Sequence, residues 1–130
     1  MESETFIIVN PTAGDGLAKQ RWQRFENELK NNNVRYKAAI TEYKNHATEL
    51  ISTAVSSGQN RIGVFSGDGT LNEVLQGLFH DNKIISENLK LIFFPAGSSC
   101  DFEKKFTNHR DWIQRIQADD TILIDIFKVE

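Results

Sequence analysis

Asp68 stands between two glycines, in the stretch RIGVFSGDGTLNEVLQGLF, where an apolar run hands over directly to an amphipathic one. Glycine tolerates positive φ and lets other groups approach the backbone closely. Gly67 and Gly69 can therefore turn several N–H groups toward one point, an anion-binding nest. A helix starting near Thr70 adds its positive N-terminal end, which completes a cradle for phosphate. A carboxylate is repelled by bare phosphate. Asp68 makes chemical sense there if magnesium sits beside the phosphate, or if the carboxylate polarises a hydroxyl that attacks a phosphoryl group. A plain strand-to-helix turn capped by Asp68 accounts for the same four residues, so the motif alone leaves both readings open.

Two further loops share its character, NPTAG from Asn10 to Gly14 and PAGSSCDF from Pro95 to Phe102. The elements between them decide whether the three loops can meet. Apolar runs at 6–9, 36–41, 62–65 and 91–94 read as strands, and a further run at 122–129 as a last one. Apolar residues at helical spacing mark helices over 17–30 (Leu17, Ala18, Trp22, Phe25, Leu29), over 47–55 and over 71–79, with a short one at 111–117. Strands alternating with helices, most of them apolar enough to be buried on both faces, predict a parallel sheet covered by helices: a three-layer α/β sandwich. In such a sheet, ligands bind at the carboxyl ends of the strands. All three loops fall at that rim, and Thr41 joins them at the end of the second strand.

Composition narrows the rest. The chain has 130 residues, 39% of them hydrophobic, and a formal net charge of −3, which offers no basic field for nucleic acid. Its one cysteine, Cys100, cannot form an internal disulfide, and no zinc-ligand spacing is present, a pattern that suits the cytoplasm. No signal peptide and no apolar stretch long enough to span a membrane is visible, so membrane contact is expected to be peripheral. Neither the P-loop pattern GxxxxGK[ST] nor GxGxxG occurs. Trp22 and Phe25 read as core rather than as a platform for a base. Leu71, Val74 and Leu75 claim the buried face of the third helix, which turns Glu73 toward the rim or water. His46 reads as a helix-start residue facing solvent or a neighbouring loop. Asp125 lies among Ile122, Leu123, Ile124, Ile126 and Phe127, and so needs a partner or a wet edge.

In this order and at this spacing, NPTAG, TEYKNHATEL, SGDGTLNEVLQGL, PAGSSCDF and the late ILID resemble the diacylglycerol kinase catalytic domain family, which includes bacterial lipid kinases and sphingosine kinases. The resemblance runs from Val9 to about Val129. It implies an NAD kinase-like N-terminal α/β domain, here a single nucleotide-binding unit over 1–130, with the family's C-terminal β-rich domain absent from this chain. It implies transfer of the γ-phosphate of ATP to the hydroxyl of a lipid alcohol, diacylglycerol or similar, with Mg2+. Carried over by position, Asn10, Pro11, Thr12 and Gly14 contact nucleotide or phosphates, and Thr41 lies beside the nucleotide. Gly67, Gly69 and Thr70 hold phosphates around a catalytic Asp68, and Glu73 faces the sugar or base. Gly97 and Ser98 belong to the third loop, and Asp101 and Asp125 match acidic positions in a magnesium and water network.

Three positions depart from the family pattern. Ser66 stands for the first glycine of GGDGT, while Ser99 and Cys100 stand for glycine and asparagine in the third loop. Cys100 lacks the amide that asparagine would bring. The expected partners are ATP and a lipid alcohol at a peripheral membrane surface, with a homodimer left open and nucleic acid excluded. The chain alone is expected to bind nucleotide weakly and to turn over little lipid. Two rivals stay in view: a kinase of the same superfamily acting on NAD or a sugar, and a non-catalytic nucleotide-binding or regulatory domain.

Overall fold

A computed structural model describes residues 4–14, 16–80, 83–84 and 89–96. Its elements run β1 (Thr5–Val9), α1 (Leu17–Asn31), β2 (Tyr36–Ile40), α2 (His46–Ser56), β3 (Arg61–Ser66), α3 (Asp68–Leu78), β4 (Phe79–His80), β5 (Lys83–Ile84) and β6 (Lys90–Pro95). Strands β2, β1, β3 and β6 form one sheet in that order, and every pairing in it is parallel. The two short strands β4 and β5 make a separate antiparallel pair. The helix expected at 111–117 and the strand expected at 122–129 lie outside the described residues.

The pleat sorts side chains into two cores. Ile7, Val9, Phe65, Ile92 and Phe94 face α1, where Ala18, Trp22, Phe25 and Leu29 complete one cluster. Ile8, Ile62, Val64 and Leu91 face the opposite way, onto Ala47, Ile51 and Ala54 of α2 and Val74 and Leu78 of α3. The odd and even positions of each strand thus serve different helices, as a period of two requires. That is the expected three-layer sandwich. Strand β3 is buried along its whole length, which explains its unbroken apolar run. Strand β2 is the exception to burial on both faces: it lies at one edge of the four-stranded sheet, and Lys37, Ala38 and Ile40 are exposed. One face of the strand meets solvent there, and two alanines in YKAAI add little apolar area to bury.

Helices α2 and α3 pack closely because of a glycine. A Cβ on Gly77 would collide with Ile51 Cγ2 and stand 2.8 Å from the Thr48 carbonyl oxygen. Alanine at 77 should therefore destabilise the domain by about 1–3 kcal/mol through overpacking, against a helix-propensity gain of at most ~1 kcal/mol. Chemical denaturation of Gly77→Ala checks this, and a variant as stable as the wild type would mean that the two helices separate at no cost.

The third helix begins earlier than the sequence suggests. Its first residue is Asp68, not Thr70, and Phe79 leaves it for β4. On the α1 side of the sheet, Tyr36 Oη donates to Glu26 Oε2 at 2.7 Å. Burial first, and then the Glu26 carboxylate, raise the Tyr36 phenol above its ordinary pKa and keep it a donor through the physiological range.

Candidate functional site

All four strands of the main sheet point the same way, so their carboxyl ends share one rim. The ladder continues past each strand end. Thr41 N–H donates to the Val9 carbonyl at 2.8 Å, Asn10 N–H to that of Phe65 at 3.0 Å and Ala96 N–H to that of Ser66 at 2.9 Å. The residues that follow β1, β2 and β6 are therefore held at fixed heights relative to one another.

The first loop turns through two left-handed glycines, Gly14 at φ 62° and Gly16 at φ 92°, the second of which caps α1. Any L-residue at either position would be strained. Asn10 opens this loop with its side-chain amide committed at both ends. Its Oδ1 accepts from the Thr12 N–H at 3.1 Å and from Thr12 Oγ1 at 2.8 Å, an Asx turn. Its Nδ2 donates to Thr70 Oγ1 at 2.7 Å, across 60 residues of sequence. The NPTAG and SGDGT motifs are thus bonded directly to each other.

The second loop corrects one expectation. Among the described glycines, Gly14, Gly16 and Gly58 have positive φ, and Gly67 and Gly69 do not. The amides at SGDGT are aimed by the start of a helix rather than by a left-handed nest. Leu71 N–H returns to the Gly67 carbonyl at 3.3 Å as the first turn closes. The amides of Asp68, Gly69 and Thr70 precede it and have no intrahelical acceptor. Asp68 and Gly69 are exposed, and a Cβ built on Gly69 would meet nothing within 4 Å. An anion can therefore come up to the helix start without obstruction, and the helix dipole favours it there. Ser66, where the family pattern has glycine, is buried, and its Oγ donates to the Gly67 carbonyl at 2.9 Å. The hydroxyl is satisfied locally and leaves the rim clear.

Glu73 lies one turn further along α3, half-buried, and its backbone carbonyl accepts from Thr48 Oγ1 at 2.8 Å. His46 is the first residue of α2. Its Nδ1 accepts from the Glu42 N–H at 2.9 Å and its ring stacks on Tyr43 at 4.2 Å. Tyr43 Oη donates to Glu49 Oε1 at 2.8 Å, and that bond holds the phenol above its ordinary pKa. His46 thus organises the loop after Thr41, as a helix-start residue does. A cavity of about 820 Å³ opens beside the first loop, lined by Pro11, Thr12, Gly16, Lys19, Trp22 and Ile40 among others. Trp22 and Phe25 are core residues, as their spacing suggests.

The structure thus brings Asn10, Thr12 and Thr70 into contact and holds Thr41 on the same rim through Val9. Gly97, Ser98, Asp101 and Asp125 lie outside the described residues. Among the described residues no cluster of three or more His, Cys, Asp or Glu could hold a metal. Magnesium needs no such cage when it arrives on phosphates, because one or two carboxylates then suffice. Asp68 beside three amides that have no intrahelical acceptor fits that arrangement. Sequence reasoning missed Arg21, which is buried in the apolar stripe of α1 and whose Nη1 donates to the Ala96 carbonyl at 2.8 Å. The signal was there: Arg21 sits three residues after Ala18 and four before Phe25, at a core position.

A parallel α/β sandwich whose first two rim loops are bonded to each other at an open helix start defines the class of fold, one that carries its ligand sites at the carboxyl ends of the strands. Comparison with known proteins gives the particular family. The model of the diacylglycerol kinase catalytic domain matches residues 4–129, and the chain belongs to that family. It is 36% identical over 119 residues to the protein named "Putative lipid kinase YtlR" of Bacillus subtilis (strain 168), covering 88% of this chain and 37% of that protein. It is 37% identical over 118 residues to sphingosine kinase 1 of Mus musculus, covering 90% of this chain and 31% of that one. A solved diacylglycerol kinase structure from Bacillus anthracis str. Sterne superposes with a TM-score of 0.60 at 26% identity, over 78% of this chain and 35% of that one. The chain thus spans about a third of the length of these relatives. Among the described residues, no helix is long and apolar enough to cross a membrane.

Proposed function

We propose that this chain is the nucleotide-binding part of a lipid kinase, in which the rim holds the phosphates of ATP and the γ-phosphoryl group passes to a lipid hydroxyl. The observation that carries the reading is the bond from Asn10 Nδ2 to Thr70 Oγ1, which locks the first glycine loop against the exposed start of α3. The amides of Asp68, Gly69 and Thr70 hold phosphate oxygens there. Thr41 and Glu73 flank the nucleotide, and Gly97 and Ser98 extend the cradle. Asp68 would orient the acceptor hydroxyl or help hold a magnesium ion shared with the phosphates, and Asp101 and Asp125 would help hold that ion. Bound magnesium neutralises charge that builds up on the phosphoryl oxygens. The protein's own contribution is positioning and fixed dipoles, as phosphoryl transfer generally requires.

The relatives bear the names of lipid and sphingosine kinases, which favours a lipid alcohol over NAD or a sugar as acceptor. The acceptor pocket is assigned to the part of the relatives' length that this chain does not span, and a lipid acceptor implies peripheral contact with a membrane.

Calorimetric titration of the chain with ATP, with and without magnesium and beside Asp68→Ala, tests the reading. Magnesium-dependent heat that the variant loses is the expected result. Equal binding by both proteins would remove Asp68 and the SGDGT loop from the site.

A further inference from the structure

Helix α1 grows straight out of the first glycine loop, and its core-facing stripe carries a single charged residue. Arg21 is 5% exposed. Its Nη1 donates to the carbonyl of Ala96, 75 residues away, at 2.8 Å. Ala96 follows the last residue of β6 and leads into the third loop. The N–H of the same residue donates to the carbonyl of Ser66 at 2.9 Å, where β3 ends and the SGDGT turn begins. Thr70, in the first turn of α3, accepts from Asn10 Nδ2 at 2.7 Å, and Asn10 starts the loop that runs back into α1. These three hydrogen bonds, with the short pieces of chain between them, close a ring. It passes from the first loop through α1 and Arg21 to the mouth of the third loop, then through Ser66 to the second loop, and home through Thr70.

Packing does not account for an arginine at this point. An apolar side chain of similar volume usually serves a core at least as well as a buried charge. What the guanidinium adds is a rigid, permanently charged fork of donors that fixes a carbonyl in direction as well as distance. Its place is the joint between helix and rim, in the second turn of the helix that left-handed Gly16 caps. We propose that Arg21 is a positioning residue for the phosphate-handling rim: by holding the Ala96 carbonyl, it sets the height and direction at which the chain leaves β6 beside Gly67–Thr70. The role in ligand binding rests on the nucleotide reading given above. The role in fixing the strand end does not.

The test compares Arg21→Met, Arg21→Lys and Leu29→Ala with the wild-type chain. Leu29 lies in the same helix and the same core but faces away from the rim end, and so controls for simple loss of stability. Three quantities are read: the carbonyl carbon shift and amide exchange rate of Ala96 by NMR, the ATP dissociation constant, and Tm. Arg21→Met should move the Ala96 carbonyl resonance, speed exchange of its N–H and weaken ATP binding roughly tenfold, the size of one lost charged hydrogen bond. Lysine, which keeps the charge but not the fork, should recover part of each. Leu29→Ala should lower Tm at least as far and leave both Ala96 and the ATP affinity unchanged. The proposal is overturned if Arg21→Met leaves the Ala96 signals where they are, or if Leu29→Ala loses as much affinity for the same fall in Tm. If Arg21→Met does not fold, Arg21→Lys against Leu29→Ala decides by the same signals. Wild-type protein that takes no ATP would end the nucleotide reading, and the Ala96 signals would still decide whether Arg21 sets the strand end.

Discussion

Asn in place of Asp68 should lower the proposed kinase turnover by about 10²–10⁴-fold, the range seen when a group acting on the reacting proton is lost. The substitution keeps the shape of the side chain and removes its charge. Asp68 is exposed at the first position of α3, so its loss should cost the fold only a few tenths of a kcal/mol through the helix dipole. Tm should barely move while activity collapses. Steady-state kinetics then separate the two roles open to the carboxylate. A fall in kcat with KM for ATP unchanged points to the acceptor hydroxyl, whereas a matching rise in KM for magnesium-ATP points to the metal. Turnover within threefold of the wild type would take Asp68 out of the chemistry altogether.

Phe25→Ala should produce the largest loss of stability, about 3–5 kcal/mol. The ring is fully buried at the centre of the α1 layer. It stacks on Phe65 at 5.5 Å, tilts against Phe94 at 5.0 Å and meets Trp22 edge-on at 6.0 Å. Those neighbours belong to β3, β6 and α1, so the vacated space cannot collapse without moving two strands whose ends lie at the candidate site. For a domain of ordinary stability the loss is about a fifth of the total or more, and Tm should fall by on the order of 10–20 °C. A thermal scan followed by circular dichroism measures it. A drop of only a few degrees would mean that the aromatic cluster is loosely packed and that the core lies elsewhere.

The sequence reveals the architecture because parallel strands buried on both faces leave a strong trace. IGVF and LIFF are runs that few other elements produce, and the helical stripes between them are equally regular. It is less informative at β2, where alanines and a lysine on an edge strand blur the pattern. The SGDGT turn was legible as a strand-to-helix handover and a candidate phosphate site, but its backbone was read in part wrongly. Glycines there suggested left-handed backbone, whereas the helix begins at Asp68 and the open approach comes from missing side chains. Left-handed backbone appears instead at Gly14 and Gly16, where the requirement is a tight entry into α1. The bonds that join the loops, Asn10 to Thr70 and Arg21 to Ala96, were not legible at all. A contact between residues 60 or 75 positions apart leaves no local periodicity, and only the parallel sheet brings its ends together.

The strand order has a consequence for how such a chain is made. Strand β1 lies between β2 and β3 and precedes both in the chain, so on leaving the ribosome it can pair early on one edge only. Its other edge waits for residues 61–66, on the order of several seconds later at ordinary rates of synthesis. During that interval Ile7 and Ile8, which end up fully buried on opposite faces, lack the neighbour that will cover them. The last bond of the ring cannot form until Ala96 emerges. The candidate rim therefore closes only after β1, β2 and β3 have all emerged, and a nascent chain stalled before that point would present two unfinished apolar faces to any chaperone within reach.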